Sequence, residues 1–122
     1  NFAFNNFVNA WLMGVNVMRR GELARSLEAL TQVQKYILQL IRIKENTVER
    51  WLNSTKNLEE DISAESYKDY VSITSKLNEN EIKTAYKNAL NIVEVMNKML
   101  CPLYMVDVDK GLISKLYSYL NE

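Results

Sequence analysis

Apolar residues recur three and four positions apart over most of the chain. Phe4, Phe7, Val8, Trp11, Leu12 and Val15 follow that spacing, and so do Leu23, Leu27, Leu30, Val33, Ile37 and Ile41. Residues so spaced share one face of an α-helix, so each run predicts a helix with one buried side. The first helix is predicted from Phe2 to Arg19 and the second from Glu22 to Asn46. Gly21 lies between them, and glycine can take the left-handed conformation that ends a helix. Two helices joined so tightly should fold back as a hairpin. Tyr36, Leu38, Leu40 and Ile43 widen the apolar face of the second helix, which marks it as central.

Beyond the hairpin the pattern is more broken. Val48, Trp51 and Leu52 suggest a further turn or two of helix, and 53–57 (Asn-Ser-Thr-Lys-Asn) reads as a loop. Ser63 is a good N-cap with Glu65 in the following turn. It predicts a helix from Ala64 to Lys76 that buries Tyr67, Tyr70, Val71 and Ile73 or Thr74. Asn78 followed by Glu81 resembles a capping box. The helix it opens carries a continuous stripe of Ile82, Ala85, Tyr86, Ala89, Ile92, Val93, Met96, Met99 and Leu100. Ala85 and Ala89 are small enough to let a neighbouring helix approach closely. Pro102 is expected to end this helix, because the residue before a proline is pushed out of helical geometry. Asp107 or Asp109 would cap a last helix bearing Leu112, Ile113, Leu116, Tyr117 and Leu120. The expectation is an all-α fold, a single bundle of about five helices over residues 1–122.

Composition agrees with this reading. Of 122 residues 48% are hydrophobic, enough for one core, while glycine (3) and proline (1) are scarce. Lys plus Arg and Asp plus Glu both number 15, so there is no basic excess, and nucleic-acid binding is set aside. No apolar run approaches the ~20 residues of a membrane span. The single Cys101 excludes an internal disulfide framework and makes a reducing, cytoplasmic setting the default. The absence of histidine removes the commonest general base and the usual zinc ligand. A self-contained hydrolase or metal enzyme is not expected. The chain begins at Asn1, which suggests a fragment of something longer.

A polar stripe of Asn5, Asn9, Asn16 and Arg20 runs along the first helix. Asparagine is a mediocre helix former, so its repetition needs a reason. One reason is solvent exposure or hydrogen bonding between helices. The other is the wall of a pocket for a ligand rich in hydroxyl or amide groups, since an amide both donates and accepts. Trp11 and Trp51 are either core residues or, for Trp11 beside the asparagines, a stacking platform for a ligand ring. Glu22, at a helix start beside a turn, either complements the helix dipole or serves as a general base. Arg25 is within helical reach of both Glu22 and Glu28. The acidic run Glu59, Glu60 and Asp61 near Glu65 matches no calcium loop and reads as a solvated lead-in to a helix. Cys101 reads as a buried structural thiol. No metal ligands are assigned.

The runs 11–16 (Trp-Leu-Met-Gly-Val-Asn) and 19–27 (Arg-Arg-Gly-Glu-Leu-Ala-Arg-Ser-Leu) resemble the helical C-terminal domain of antibiotic nucleotidyltransferases. The stretch from Trp51 to Ser63, with Lys56, Asn57, Leu58, Glu59, Asp61 and Ile62, followed by Ser66, Tyr67 and Tyr70, resembles the lincosamide branch of that family. The resemblance implies a substrate-binding helical domain beside an N-terminal α/β domain. In full-length members that N-terminal domain carries a Gly-Ser motif and paired aspartates that bind magnesium and ATP. It implies AMP transfer to an antibiotic hydroxyl, a drug pocket lined partly by the helical domain, and a homodimer. In the kanamycin enzymes of the family a Glu of the helical domain is the base; here the resemblance leaves two alternatives, Glu22 or a base on the other domain in the lincosamide branch. This chain has no Gly-Ser motif; Asp107 and Asp109 have the paired spacing without the preceding turn. The chain alone is therefore expected to bind neither Mg nor ATP and to catalyse nothing. The expected acceptor-binding residues are Asn9, Trp11, Asn16, Arg20 and Glu22. The alternative is a free-standing helical protein-interaction module, which would present an exposed apolar patch.

Overall fold

The computed structural model describes residues 2–45, 54–104 and 110–121. Among the described residues six helices run in order: α1 Phe2–Arg19, α2 Leu23–Lys44, α3 Leu58–Asp61, α4 Ala64–Val71, α5 Glu79–Tyr104 and α6 Lys110–Leu120. Among the described residues there is no strand, so the fold is all-α. None of these helices is long and apolar enough to cross a membrane.

The hairpin α1–α2 is the foundation, with the most extensive helix-to-helix contact among the described residues. Gly21 ends α1 with φ +84°. The Gly21 amide donates to Met18 O at 2.9 Å and the Glu22 amide to Val17 O at 3.0 Å. That pair of bonds is the Schellman closure, which satisfies carbonyls a helix end leaves open. Glu22 then stands as the N-cap of α2 rather than inside its first turn, and its carboxylate caps no backbone amide.

Helix α2 is the central element. Leu30, Val33, Ile37 and Ile41 are completely buried, and every residue from Ile37 to Arg42 is buried. Such an all-round burial requires neighbours on several sides. α1 and α5 cover it along much of its length, and α4 packs against it as well. α6 lies on α5, burying Ile113, Leu116 and Leu120.

Caps place the later helices where the sequence expects them. Ser63 Oγ accepts from the Ser66 amide at 3.1 Å, and Asn78 Oδ1 accepts from the Glu81 amide at 3.1 Å. Four expectations need correction. α4 stops at Val71, not Lys76, and Val71 is 51% exposed. There Ser72 Oγ and Thr74 Oγ1 donate to the carbonyls of Asp69 and Val71, bonds that compete with helix continuation. Gln34 and Asn88 then donate to Ile73 O and Ser72 O, each at 2.9 Å, and fix the connection to α5. Met99 is 48% exposed, so it lies off the face of α5 that buries Met96 and Asn97. Pro102 does not end α5, which continues to Tyr104; a proline in the last turn deletes only one backbone bond. The acidic run is not a loop but the single turn α3. The helical turns expected around Trp51, the setting of the Cys101 side chain, and the caps at Asp107 or Asp109 lie outside the described residues and side chains.

Arg42 was not singled out in the sequence, yet it is fully buried and organises 54–61. Its Nε and Nη2 donate to Ser54 O at 2.9 and 2.7 Å. Nη2 also reaches Lys56 O at 3.0 Å, and Nη1 reaches Asp61 Oδ2 at 3.1 Å. A guanidinium presents several donors in one plane, which suits this mixture of carbonyl and carboxylate partners. Nearby, Glu45 Oε1 accepts from Ser66 Oγ at 2.6 Å, Ser63 Oγ at 2.7 Å and the Ser63 amide at 3.2 Å. These bonds hold the Glu45 carboxyl below its ordinary value, with Ser66 the largest cause.

Candidate functional site

The turn between α1 and α2 brings several polar side chains to one corner. Arg20 Nε lies 3.4 Å and Arg25 Nη1 3.7 Å from the two oxygens of Glu22. All three side chains are about half exposed, so these pairs orient the carboxylate more than they stabilise the fold. At Glu28, the other partner considered for Arg25, the backbone carbonyl accepts from Thr31 Oγ1 at 2.6 Å. Asn16 stands on the last turns of α1, with Oδ1 accepting from the Tyr119 hydroxyl at 3.4 Å. That leaves its amide hydrogens to donate elsewhere. The Arg19 guanidinium sits 4.7 Å over the ring of the same Tyr119.

Asn9 lies seven residues before Asn16, two helical turns away on the same exposed side. Asn9, Asn16, Arg20 and Glu22 are thus surface groups, and together they make an open polar face rather than an enclosed pocket. Trp11 is not part of it. Its ring is fully buried, stands edge-on to Tyr86 with centroids 6.2 Å apart, and its Nε1 donates to Tyr86 O at 3.0 Å. A side chain so enclosed offers no face for a ligand ring to stack on, which corrects its placement in the acceptor-binding set. Tyr119 was missed in the sequence; it reaches Asn16 from 103 positions away, so no local spacing marks it.

Behind this corner lies a buried polar knot. Ser26, one turn into α2, donates from Oγ to Gly14 O at 2.9 Å. Tyr86 of α5 donates its hydroxyl to Ser26 O at 2.6 Å, and that hydroxyl is 3.4 Å from Ser26 Oγ. Burial pushes the Tyr86 phenol up to about 12, so it is a neutral donor at physiological pH. Gly14 makes room for it: a Cβ there would stand 1.9 Å from the Tyr86 hydroxyl oxygen. Ala85 and Ala89, where a close approach was expected, are buried, and the notch at Gly14 in α1 was passed over in the sequence.

The sequence matches the family model for lincosamide nucleotidyltransferase-like C-terminal domains over residues 1–119. The chain belongs to this family. Among curated proteins no relative matches it. The match covers the hairpin, the Arg42 cluster and nearly all of α6, so the elements that build the polar corner all lie within the family domain. A C-terminal domain by name, it suggests an N-terminal nucleotidyltransferase domain as its partner. Magnesium needs several oxygen ligands converging on one point. Among the described residues no group of three or more Asp, Glu, Cys or His side chains converges in that way.

Proposed function

We propose that this chain is the acceptor-binding half of a two-domain nucleotidyltransferase that moves AMP from ATP to a hydroxyl of a lincosamide antibiotic. The family match over nearly the whole chain carries the reading. The polar corner supports it, because it offers what a hydroxyl-rich acceptor requires. The Asn9 and Asn16 amides can donate and accept, and the Glu22 carboxylate can accept a hydroxyl hydrogen bond. The acceptor hydroxyl must also lose its proton as its oxygen bonds to the α-phosphorus of ATP and the α–β phosphoanhydride bond breaks to release pyrophosphate. Glu22, held open between two arginines, is the carboxylate at this corner that can take it. Magnesium and ATP belong to the N-terminal domain in this reading, and the open face becomes a pocket when that domain lies against it. Such a protein acts in the cytoplasm, where ATP is, and confers antibiotic resistance.

The test is calorimetric titration of lincomycin and clindamycin, with kanamycin as control, into the full-length protein with ATP and magnesium. The lincosamides should bind and kanamycin should not. Asn9→Ala, Asn16→Ala and Glu22→Ala should each weaken lincosamide binding. If no lincosamide binds, the acceptor assignment is wrong. A homodimer is part of the proposal, and light scattering on the same protein should give twice the monomer mass. The alternative of a free-standing interaction module draws on Val95 and Met99, both about half exposed one turn apart on α5. It gains ground only if no acceptor binds.

A further inference from the structure

We propose that Tyr86 is a positioning residue for the acceptor-binding corner, setting the placement of Asn16 relative to Glu22 from the opposite side of the hairpin. The proposal rests on the reading above for its functional consequence. Its structural part stands on geometry alone. Asn16 is two residues beyond Gly14 on α1, and the Glu22 carbonyl accepts from the Ser26 amide at 3.0 Å at the start of α2. Gly14 and Ser26 are therefore the points of the two helices closest to the corner that the knot grips. Tyr86 grips both. Its hydroxyl holds Ser26 O at 2.6 Å, and its ring end fills the space where Gly14 lacks a Cβ. Ser26 Oγ closes the triangle onto Gly14 O at 2.9 Å. Trp11 fixes Tyr86 in turn by donating to its carbonyl at 3.0 Å.

An apolar contact would let α1 slide along α2, because dispersion has little directional preference. Hydrogen bonds to two main-chain carbonyls do not, because distance and angle are both constrained. The knot thus fixes the axial register of the hairpin just behind its polar end. Among the described residues, the polar side chains of the corner are held by exposed ion pairs and by contacts to Tyr119. Those are weak restraints. The precision of the acceptor face is inherited from α5 through Tyr86.

The experiment uses Tyr86→Phe, which keeps the ring and removes only the donor. Ser66→Ala serves as a control that loosens the fold at the far end of α2. In proton–nitrogen spectra, Tyr86→Phe should shift the Asn16 side-chain amide and the Gly21 and Glu22 backbone amides, whereas Ser66→Ala should leave them in place. In the full-length protein, Tyr86→Phe should raise KM for the acceptor by about three- to tenfold with KM for ATP unchanged. Ser26→Ala should act in the same direction, and the double variant should fall short of the product of the two effects, because the groups act as one unit. Unchanged corner resonances in Tyr86→Phe overturn the proposal. So does an acceptor KM that moves only in step with stability, as in Ser66→Ala. If the native protein turns over no acceptor, the proposed function fails, and the spectra still decide whether Tyr86 positions the corner.

Discussion

Gly14→Ala gives the sharpest test of how the three long helices fit together. In a helix interior, replacing glycine by alanine ordinarily stabilises by ~1 kcal/mol, through the unfolded chain's lost freedom. Gly14 lies inside α1, so propensity alone predicts a more stable protein. The structure predicts the reverse. The new Cβ would stand 1.9 Å from the Tyr86 hydroxyl oxygen and 2.5 Å from Cζ, both inside any real contact distance. Tyr86 has nowhere to go, being fully buried and bonded to Ser26 O. Overpacking of this kind costs ~1–3 kcal/mol. Displacing the hydroxyl from its carbonyl adds ~1 kcal/mol or more, since the donor is left buried. Against the propensity gain, the net destabilisation is ~1–3 kcal/mol. Urea unfolding followed by helical circular dichroism should show the midpoint falling by about 1 M with an unchanged slope. The same substitution made in a Tyr86→Leu background should cost far less or become stabilising, because the clashing atoms are gone. A Gly14→Ala protein at least as stable as the wild type would refute the packing described here.

Truncating Leu30 or Ile37 to Ala should lower stability by ~2–5 kcal/mol in the same assay, as both side chains are fully buried in the central helix. Arg42→Met should cost ~3–5 kcal/mol, because it leaves Asp61 and the Ser54 and Lys56 carbonyls without their shared donor. Protease nicking within 54–61 should rise with it; a variant as stable and as resistant as wild type would contradict the role given to Arg42. Glu45 has a lowered folded-state pKa, so its contribution is present above the unfolded value of 4.5 and is lost as pH falls through the folded one. Ser66→Ala removes the main cause and should flatten that part of the stability–pH curve. Tyr86 runs the other way: its contribution is complete below the unfolded value of 10.0 and is lost as pH rises through about 12. Tyr86→Phe should abolish that alkaline component, read by phenolate absorbance alongside unfolding.

What was legible in the sequence follows from the range of the interactions involved. Helix α1 and the Gly21 turn were legible because periodicity and a left-handed glycine are properties of neighbours in the chain. The caps at Ser63 and Asn78 were legible for the same reason, each bond spanning three residues. α4 was overrun because β-branched Val71, Ile73 and Thr74 keep an apolar rhythm while hydroxyls of the same stretch tie up the carbonyls a helix would need. Met99 continues the stripe of α5 by type, yet it lies off the buried face. Gly14 and Arg42 were passed over, and Tyr86 was read only as one residue of the α5 stripe, because their meaning lies in partners on other elements. A glycine inside a helix looks like a defect until the tyrosine 72 positions later is set against it.

The candidate site divides along the same line. Asn16, Arg20, Glu22 and Arg25 sit within ten residues of one another, so the turn alone brings them to one corner, and a reading of the sequence could find them. What that reading could not supply is the side each group faces. Trp11, three residues from Gly14 and in helical register with the core, faces Tyr86 instead of the asparagines. Tyr119, invisible from the hairpin, supplies a hydrogen bond to the Asn16 side chain. The groups that would touch an acceptor are therefore local, while those that hold them in place come from α5 and α6. On the proposed reading, substitutions at Tyr86 or Tyr119 should alter acceptor recognition, and Trp11→Phe, which removes the donor to the Tyr86 carbonyl, should act in the same direction as Tyr86→Phe.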